Sequence, residues 1–169
     1  MKPGIPTRGA GLPARACETP IGTLGLVGSN AGLREIHWSC DGLHLGESCG
    51  VLDETARQLS AYFAGTLTAF ELPLDLIGTP FQVTAWRALA EIPFGATVTY
   101  AEQAGRIGRP AAVRAVGAAN GRNPVPIVLP CHRIVGSDGS LTGFGGGLEL
   151  KRFLLDHEAA QRPLFELAG

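Results

Sequence analysis

The chain has 169 residues, 45% of them apolar and 17% charged, and a formal net charge of −1. This is the composition of a soluble globular chain, long enough for one ordinary domain or two small ones with a real core. No apolar run approaches the roughly 18–20 residues of a membrane helix, and the near-zero charge gives no hint of a nucleic-acid partner, although it can hide a local patch.

Residues 1–16, "MKPGIPTRGAGLPARA", carry three prolines and three basic residues without an apolar segment. They read as a flexible tail rather than an export signal, so a cytoplasmic location is expected. The four cysteines, Cys17, Cys40, Cys49 and Cys131, contain no C-x-x-C pair, which suggests neither a zinc ribbon nor a thioredoxin-like site. In a reducing compartment they stay free thiols.

From residue 17 to 37, short alternating stretches around Gly28-Ser29-Asn30 predict a hairpin or meander. Residues 51–64 place Leu52, Ala56, Leu59, Tyr62 and Phe63 on one helical face, with Gly65 as a stop. The stretch 68–76 resumes alternation and is read as returning to the same sheet. Gly78-Thr79-Pro80 then breaks the pattern and divides a domain over 17–77 from one over 78–169.

The second half turns helical. Thr79 caps a helix that starts at Pro80 and carries an apolar stripe of Phe81, Ala85, Trp86 and Leu89. Thr99 caps the next helix, with Glu102 as its capping-box partner. A turn at Gly108-Arg109-Pro110 leads into the Ala-rich "AAVRAVGAANGR". Two short helices joined by a tight glycine-containing turn are the layout of a helix-turn-helix. No carboxylate occurs between Glu102 and Asp138, while Arg106, Arg109, Arg114, Arg122 and Arg133 lie in that window. Five arginines without an acid predict a basic face, and arginine matches phosphate geometry.

The run "VLPCHRIV" (128–135) looks like a buried strand, yet a proline, a thiol, an imidazole and a guanidinium interrupt it. A strand that only packs carries no such series. Cys131 is a candidate nucleophile and His132 a candidate base beside it. A structural thiol next to a surface histidine is the alternative on these residues alone.

"NPVPIVLPCHRIVGSDGSLTGFGGGLELKRFLLDHE" (123–158) resembles the active-site region of the O6-alkylguanine-DNA alkyltransferases, the methylated-DNA–protein-cysteine methyltransferases. Residues 78–124 are similar to the helix-turn-helix half of the same domain, and 17–77 more weakly to the family's N-terminal part. The resemblance implies an α+β chain: a small N-terminal α/β, ribonuclease H-like subdomain, then a mainly helical C-terminal domain of winged helix-turn-helix type. It implies DNA repair in a single turnover, in which Cys131 takes the alkyl group of O6-alkylguanine from double-stranded DNA. His132 would be the base, reaching the thiol through a water, and Glu158 would orient it. Asn123 would brace the turn before the thiol strand. Tyr100 would donate to the guanine ring, and Lys151 would support the active-site strand. Arg114 would replace the flipped nucleotide in the stack, beside DNA contacts from Arg106, Arg109, Arg122, Ala115, Gly117 and Asn120. Phe144, Gly145, Gly146 and Val135 would line the base pocket.

Two departures stand out. Phe144 occupies a position where some members have tyrosine, and Gly145 one where others have serine, so polar contacts are lost at both. Some members also bind a structural zinc, but Cys17 and Cys40 make no convincing ligand set, and neither metal nor cofactor is expected. A monomer is expected, with cooperativity on DNA left open. A cysteine hydrolase would also use Cys131, His132 and Glu158 but gives the helix pair no role. A sequence-reading regulator would need more base-reading side chains than Arg114 and Asn120. An inactive lesion sensor of the same fold would lack the acceptor thiol.

Overall fold

The computed structural model describes residues 11–161, which divide into two units at Ile77/Gly78. In the first, β1 (Ala14–Thr19), β2 (Gly22–Ser29) and β3 (Gly32–His37) form an antiparallel sheet in that order. The predicted hairpin turns at Asn30-Ala31, where Ser29 Oγ accepts from the Ala31 amide at 3.1 Å. Of the tail expected over 1–16, residues 14–16 belong to β1. The strand begins once Pro13 is passed, with Ala14 paired to Val27 and Ala16 to Gly25; residues 1–10 lie outside the described residues.

Helix α1 (Gly50–Phe63) packs on this sheet. Leu52, Ala56, Leu59 and Tyr62 are buried as the periodicity predicts, while Phe63 is only half-buried. Gly28 lets the helix approach: a methyl group there would meet Leu52 and Val51 at 3.0 Å. The return over 68–76 is a single bridge, Leu33 to Leu74, and not a strand. Pro73 has no N–H for a ladder, and Gln58 instead ties the chain back by pairing with both the N–H and C=O of Glu71 at 2.9 Å.

The second unit opens with α2 (Pro80–Leu89), whose capping box is complete: Thr79 Oγ1 accepts from the Gln82 amide and Gln82 Oε1 from the Thr79 amide. β4 (Val98–Thr99) runs into α3 (Tyr100–Arg106), capped by the predicted Thr99–Glu102 box. A turn containing Gly108 (φ 73°) leads to α4 (Val113–Asn120). The fully buried Trp86 donates from Nε1 to Ala119 O at 2.7 Å, joining α2 to the end of α4.

The thiol segment departs from the strand reading. Val125 to Val135 is buried throughout, but Leu129 N–H bonds back to Val125 O, and Cys131–Arg133 is a single turn of 3-10 helix. Only Ile134–Val135 (β5) is extended, parallel to β4. Pro126 and Pro130 cannot donate to a ladder, which favours the turn. Ile127 sits at φ 73°, a region costly for a β-branched residue. Helix α5 (Leu148–Gln161) closes the unit. Among the described residues, no helix is long and apolar enough to cross a membrane.

Asn120 does not reach the surface where the sequence reading puts it. It is 9% exposed and forms a reciprocal amide pair with Gln103 of α3, with N–H···O distances of 2.7 and 3.0 Å. Gln103 Nε2 also reaches Ala85 O of α2 at 3.2 Å, so the pair sets the arrangement of three helices. Replacing Asn120 with leucine strands a buried amide. We expect Asn120→Leu to lower unfolding free energy by about 1–3 kcal/mol in denaturant titrations, through the fold rather than through a lost DNA contact.

Candidate active site

Cys131 is 8% exposed, at the start of the one-turn helix, and its amide bonds to Leu129 O at 2.8 Å. Asn123 braces the loop before it: Nδ2 donates to Leu129 O at 2.8 Å and Oδ1 accepts from the Val125 amide at 3.0 Å. One short side chain thus closes the turn that presents the thiol.

The surface-histidine alternative does not describe the next layer. His132 and Glu158 are both fully buried, with Nε2 and Oε1 2.7 Å apart. An ionised carboxylate only accepts, so the shared hydrogen belongs to Nε2, and Nδ1 is the acceptor face of the ring. Nδ1 has no hydrogen-bond partner among the described residues. Arg133, which the sequence reading counts in the basic face, is 5% exposed and turned inward. Its Nε and Nη2 reach Glu158 Oε2 and Oε1, each at 2.9 Å, and Nη1 reaches Ile92 O at 2.6 Å. A charge in a buried apolar run was the available signal; its partner lies 25 residues on.

Lys151 is buried on α5 and donates to Thr142 O at 2.9 Å. The Tyr100 hydroxyl donates to the same carbonyl at 3.2 Å and accepts from Thr142 Oγ1. Thr142, which the sequence reading passes over, therefore ties the loop before α5 to the start of α3. In that loop Phe144 and Gly146 are half-buried and Gly145 is exposed, while Val135 is buried in β5. Arg106, Arg109, Arg114, Ala115 and Arg122 are all exposed on and around α3 and α4. Gly117 is half-buried, and a Cβ there would lie 3.8 Å from the Tyr100 ring. Among the described residues, no cluster of His, Cys, Asp and Glu could hold a metal ion.

Two family models match this chain. The DNA-binding domain of 6-O-methylguanine DNA methyltransferase matches residues 80–160, and the ribonuclease-like domain of the same proteins matches 15–76. The chain belongs to the 6-O-methylguanine DNA methyltransferase family. A methylated-DNA–protein-cysteine methyltransferase of Mycobacterium bovis is 46% identical over 154 residues, covering 88% of this chain and 93% of the relative. One from Methanosarcina barkeri is 48% identical over 147 residues, covering 83% and 93%. The structure of Mycobacterium tuberculosis OGT in complex with DNA is similar at a TM-score of 0.81 and 45% identity, over 89% of this chain and 94% of that one.

In this methyltransferase-family site, burial pushes the Cys131 thiol up, and hydrogen bonding with Asn123 and the charge of Lys151 only partly offset that. Burial pushes His132 down, against the pull of Glu158. Burial would raise Glu158 too, but hydrogen bonds from His132 and Arg133 outweigh it and hold the carboxyl far below the usual range. Burial lowers Lys151, opposed by Cys131.

These directions set an acid sensitivity. Glu158 is depressed in the folded state, so its contribution is complete above its unfolded value of about 4.3 and is lost as pH falls below that. His132 is depressed as well. The unfolded chain takes up that proton first, so stability also declines below about pH 6.5. Glu158→Gln leaves Arg133 buried without a counter-charge. It should cost about 3–5 kcal/mol at neutral pH and flatten the lower limb, as measured by denaturant unfolding from pH 7 to 3.

Proposed function

We propose that this chain repairs DNA by moving the alkyl group of O6-alkylguanine onto Cys131, once per molecule. The observation that carries this reading is the buried His132–Glu158 pair directly after the buried Cys131, in the same unit as a helix pair bearing exposed arginines. On this reading the C-terminal unit is a winged helix-turn-helix and the N-terminal sheet unit is ribonuclease H-like. The protein works as a cytoplasmic monomer.

The sulfur attacks the alkyl carbon, an S–C bond forms, and the bond from carbon to guanine O6 breaks. The thiol proton passes through a water to His132 Nδ1, while Glu158 stabilises the imidazolium. Tyr100 donates to the guanine ring as O6 departs, giving up its contact with Thr142. Proton return from His132 through solvent leaves neutral guanine and an S-alkyl cysteine. A thioether has no easy leaving group, so the protein is consumed.

Magnitudes decide where the rate originates. An ordinary thiol is a few per cent ionised at pH 7, so complete ionisation gains only about 30-fold. The raised thiol of Cys131 moves away from even that. Holding sulfur, carbon and leaving oxygen in line is the larger lever, followed by donors at the departing oxygen. The nucleotide reaches the thiol only when it is extruded from the duplex, at a cost of a few kcal/mol that is smaller for a poorly paired lesion. Arg114, exposed near the start of α4, fills the gap in the stack, while Arg106, Arg109 and Arg122 meet phosphates.

Excess duplex carrying O6-methylguanine should yield at most one repaired base per chain, with the methyl group on the Cys131 peptide by mass spectrometry. Repair beyond one equivalent contradicts the proposal, and Cys131→Ser should bind DNA without transfer. Arg114→Ala should slow single-turnover transfer on paired duplex far more than on single strands, where flipping costs little. Equal losses on both would make Arg114 a phosphate contact.

A further inference from the structure

Arg133 takes no part in the reaction described above, yet three of its donors are committed inside the site. Besides its contacts to Glu158 and Ile92, its guanidinium carbon lies 5.7 Å from the centroid of the Phe94 ring. Glu158 Oε1 accepts from His132 Nε2 and Arg133 Nη2. Oε2 accepts from Arg133 Nε and, at 3.1 Å, from the Gly95 amide. A carboxylate has about four lone-pair sites, and these are four donors to it among the described residues. The charge of Glu158 is thus met by the Arg133 guanidinium.

We propose that Arg133 is a positioning residue that acts through Glu158 to keep His132 neutral, with Nδ1 as a free acceptor, until a lesion arrives. An imidazolium at rest would put a second cation on a carboxylate that already has one. The Lys151 ammonium on the same helix as Glu158 opposes it further. The groups acting on the ring are therefore Glu158 and Lys151 from α5, Arg133 from its own turn, and the neighbouring Cys131 thiol. Stacking cations on one buried anion is unfavourable.

Removing Arg133 reverses the balance. Glu158 loses the Arg133 charge, and the Glu158–His132 pair, which already shares the Nε2 hydrogen, takes up one more proton from solvent. An imidazole binds a proton about two pH units more tightly than a carboxylate, so the proton settles on His132. Nδ1 then carries hydrogen and is no base. This differs from a triad whose carboxylate carries no guanidinium: Glu158 still supports the transient imidazolium of the transfer, but less strongly, and the resting ring stays neutral. The kinetic consequence rests on the alkyl-transfer reading; the protonation state does not.

The test uses the full-length chain, labelled with nitrogen-15 at histidine and titrated by NMR without DNA. Wild type should show His132 neutral and protonated at Nε2 from pH 8 down to pH 6. Arg133→Met should show an imidazolium at pH 7, and Arg133→Lys, which keeps the charge, should restore the neutral ring. In single-turnover transfer, Arg133→Met should be about tenfold slower at pH 7 and recover near pH 9, since each unit of pKa is tenfold in free base. A doubly protonated His132 in wild type at pH 7 overturns the proposal, and stands as the deciding measurement if Arg133→Met does not fold. A folded Arg133→Met with a neutral His132 overturns it as well. Neutral His132 in a wild-type chain that transfers nothing would instead refute the alkyl-transfer reading and leave the Arg133 assignment standing.

Discussion

The site is organised around one buried carboxylate. Glu158 accepts from the Gly95 amide in the loop after α2, from His132 and from both arms of Arg133. It thereby joins α5, the thiol turn and the loop before β4 at a single charge. Such an arrangement contributes little net stability, because desolvation of the ions offsets their attraction. Its effect is geometric: with donors from the Gly95 loop and the thiol turn on one carboxylate, the imidazole has one orientation and α5 one seat. α5 then places Lys151 on Thr142 O, and that carbonyl holds the Tyr100 hydroxyl. Cys131, His132 and the Thr142 loop are thus referred to the same anchor.

On the proposed single-turnover reading, the burial around that anchor also keeps the thiol intact. A permanently ionised thiolate is exposed to oxidants and stray electrophiles, whereas a buried neutral thiol is inert. The site leans toward the neutral form at both partners, since burial raises Cys131 and lowers His132. In the proposed transfer, reactivity then depends on an alkyl carbon being brought into line with the sulfur. Selectivity and self-protection come from the same burial.

Much of this was legible in the chain because it is local. The Thr79–Pro80 and Thr99–Glu102 starts are read from capping chemistry within one turn, and both caps are present. The family resemblance, carried by the Pro-Cys-His-Arg run and the Leu-x-x-His-Glu ending, agrees with the two matching family models. The thiol segment was misread as a strand because a short apolar run does not distinguish a strand from a buried turn; Pro126 and Pro130 were the signs against it. Arg133 and Asn120 were misplaced for a different reason. Polar side chains are read as surface unless a partner is visible, and Glu158 and Gln103 lie 25 and 17 residues away in the chain. Thr142 carries its role in a backbone carbonyl, which no side-chain pattern reveals.

The central claim is that Cys131 rests as a neutral thiol and is activated by geometry rather than by ionisation. Thiolate absorbance near 240 nm, taken as the difference between wild type and Cys131→Ser across pH 5 to 10, tests it directly. The account predicts no thiolate from Cys131 until the pH passes the ordinary thiol value of about 8.5. A full thiolate signal from Cys131 at pH 7 would contradict it.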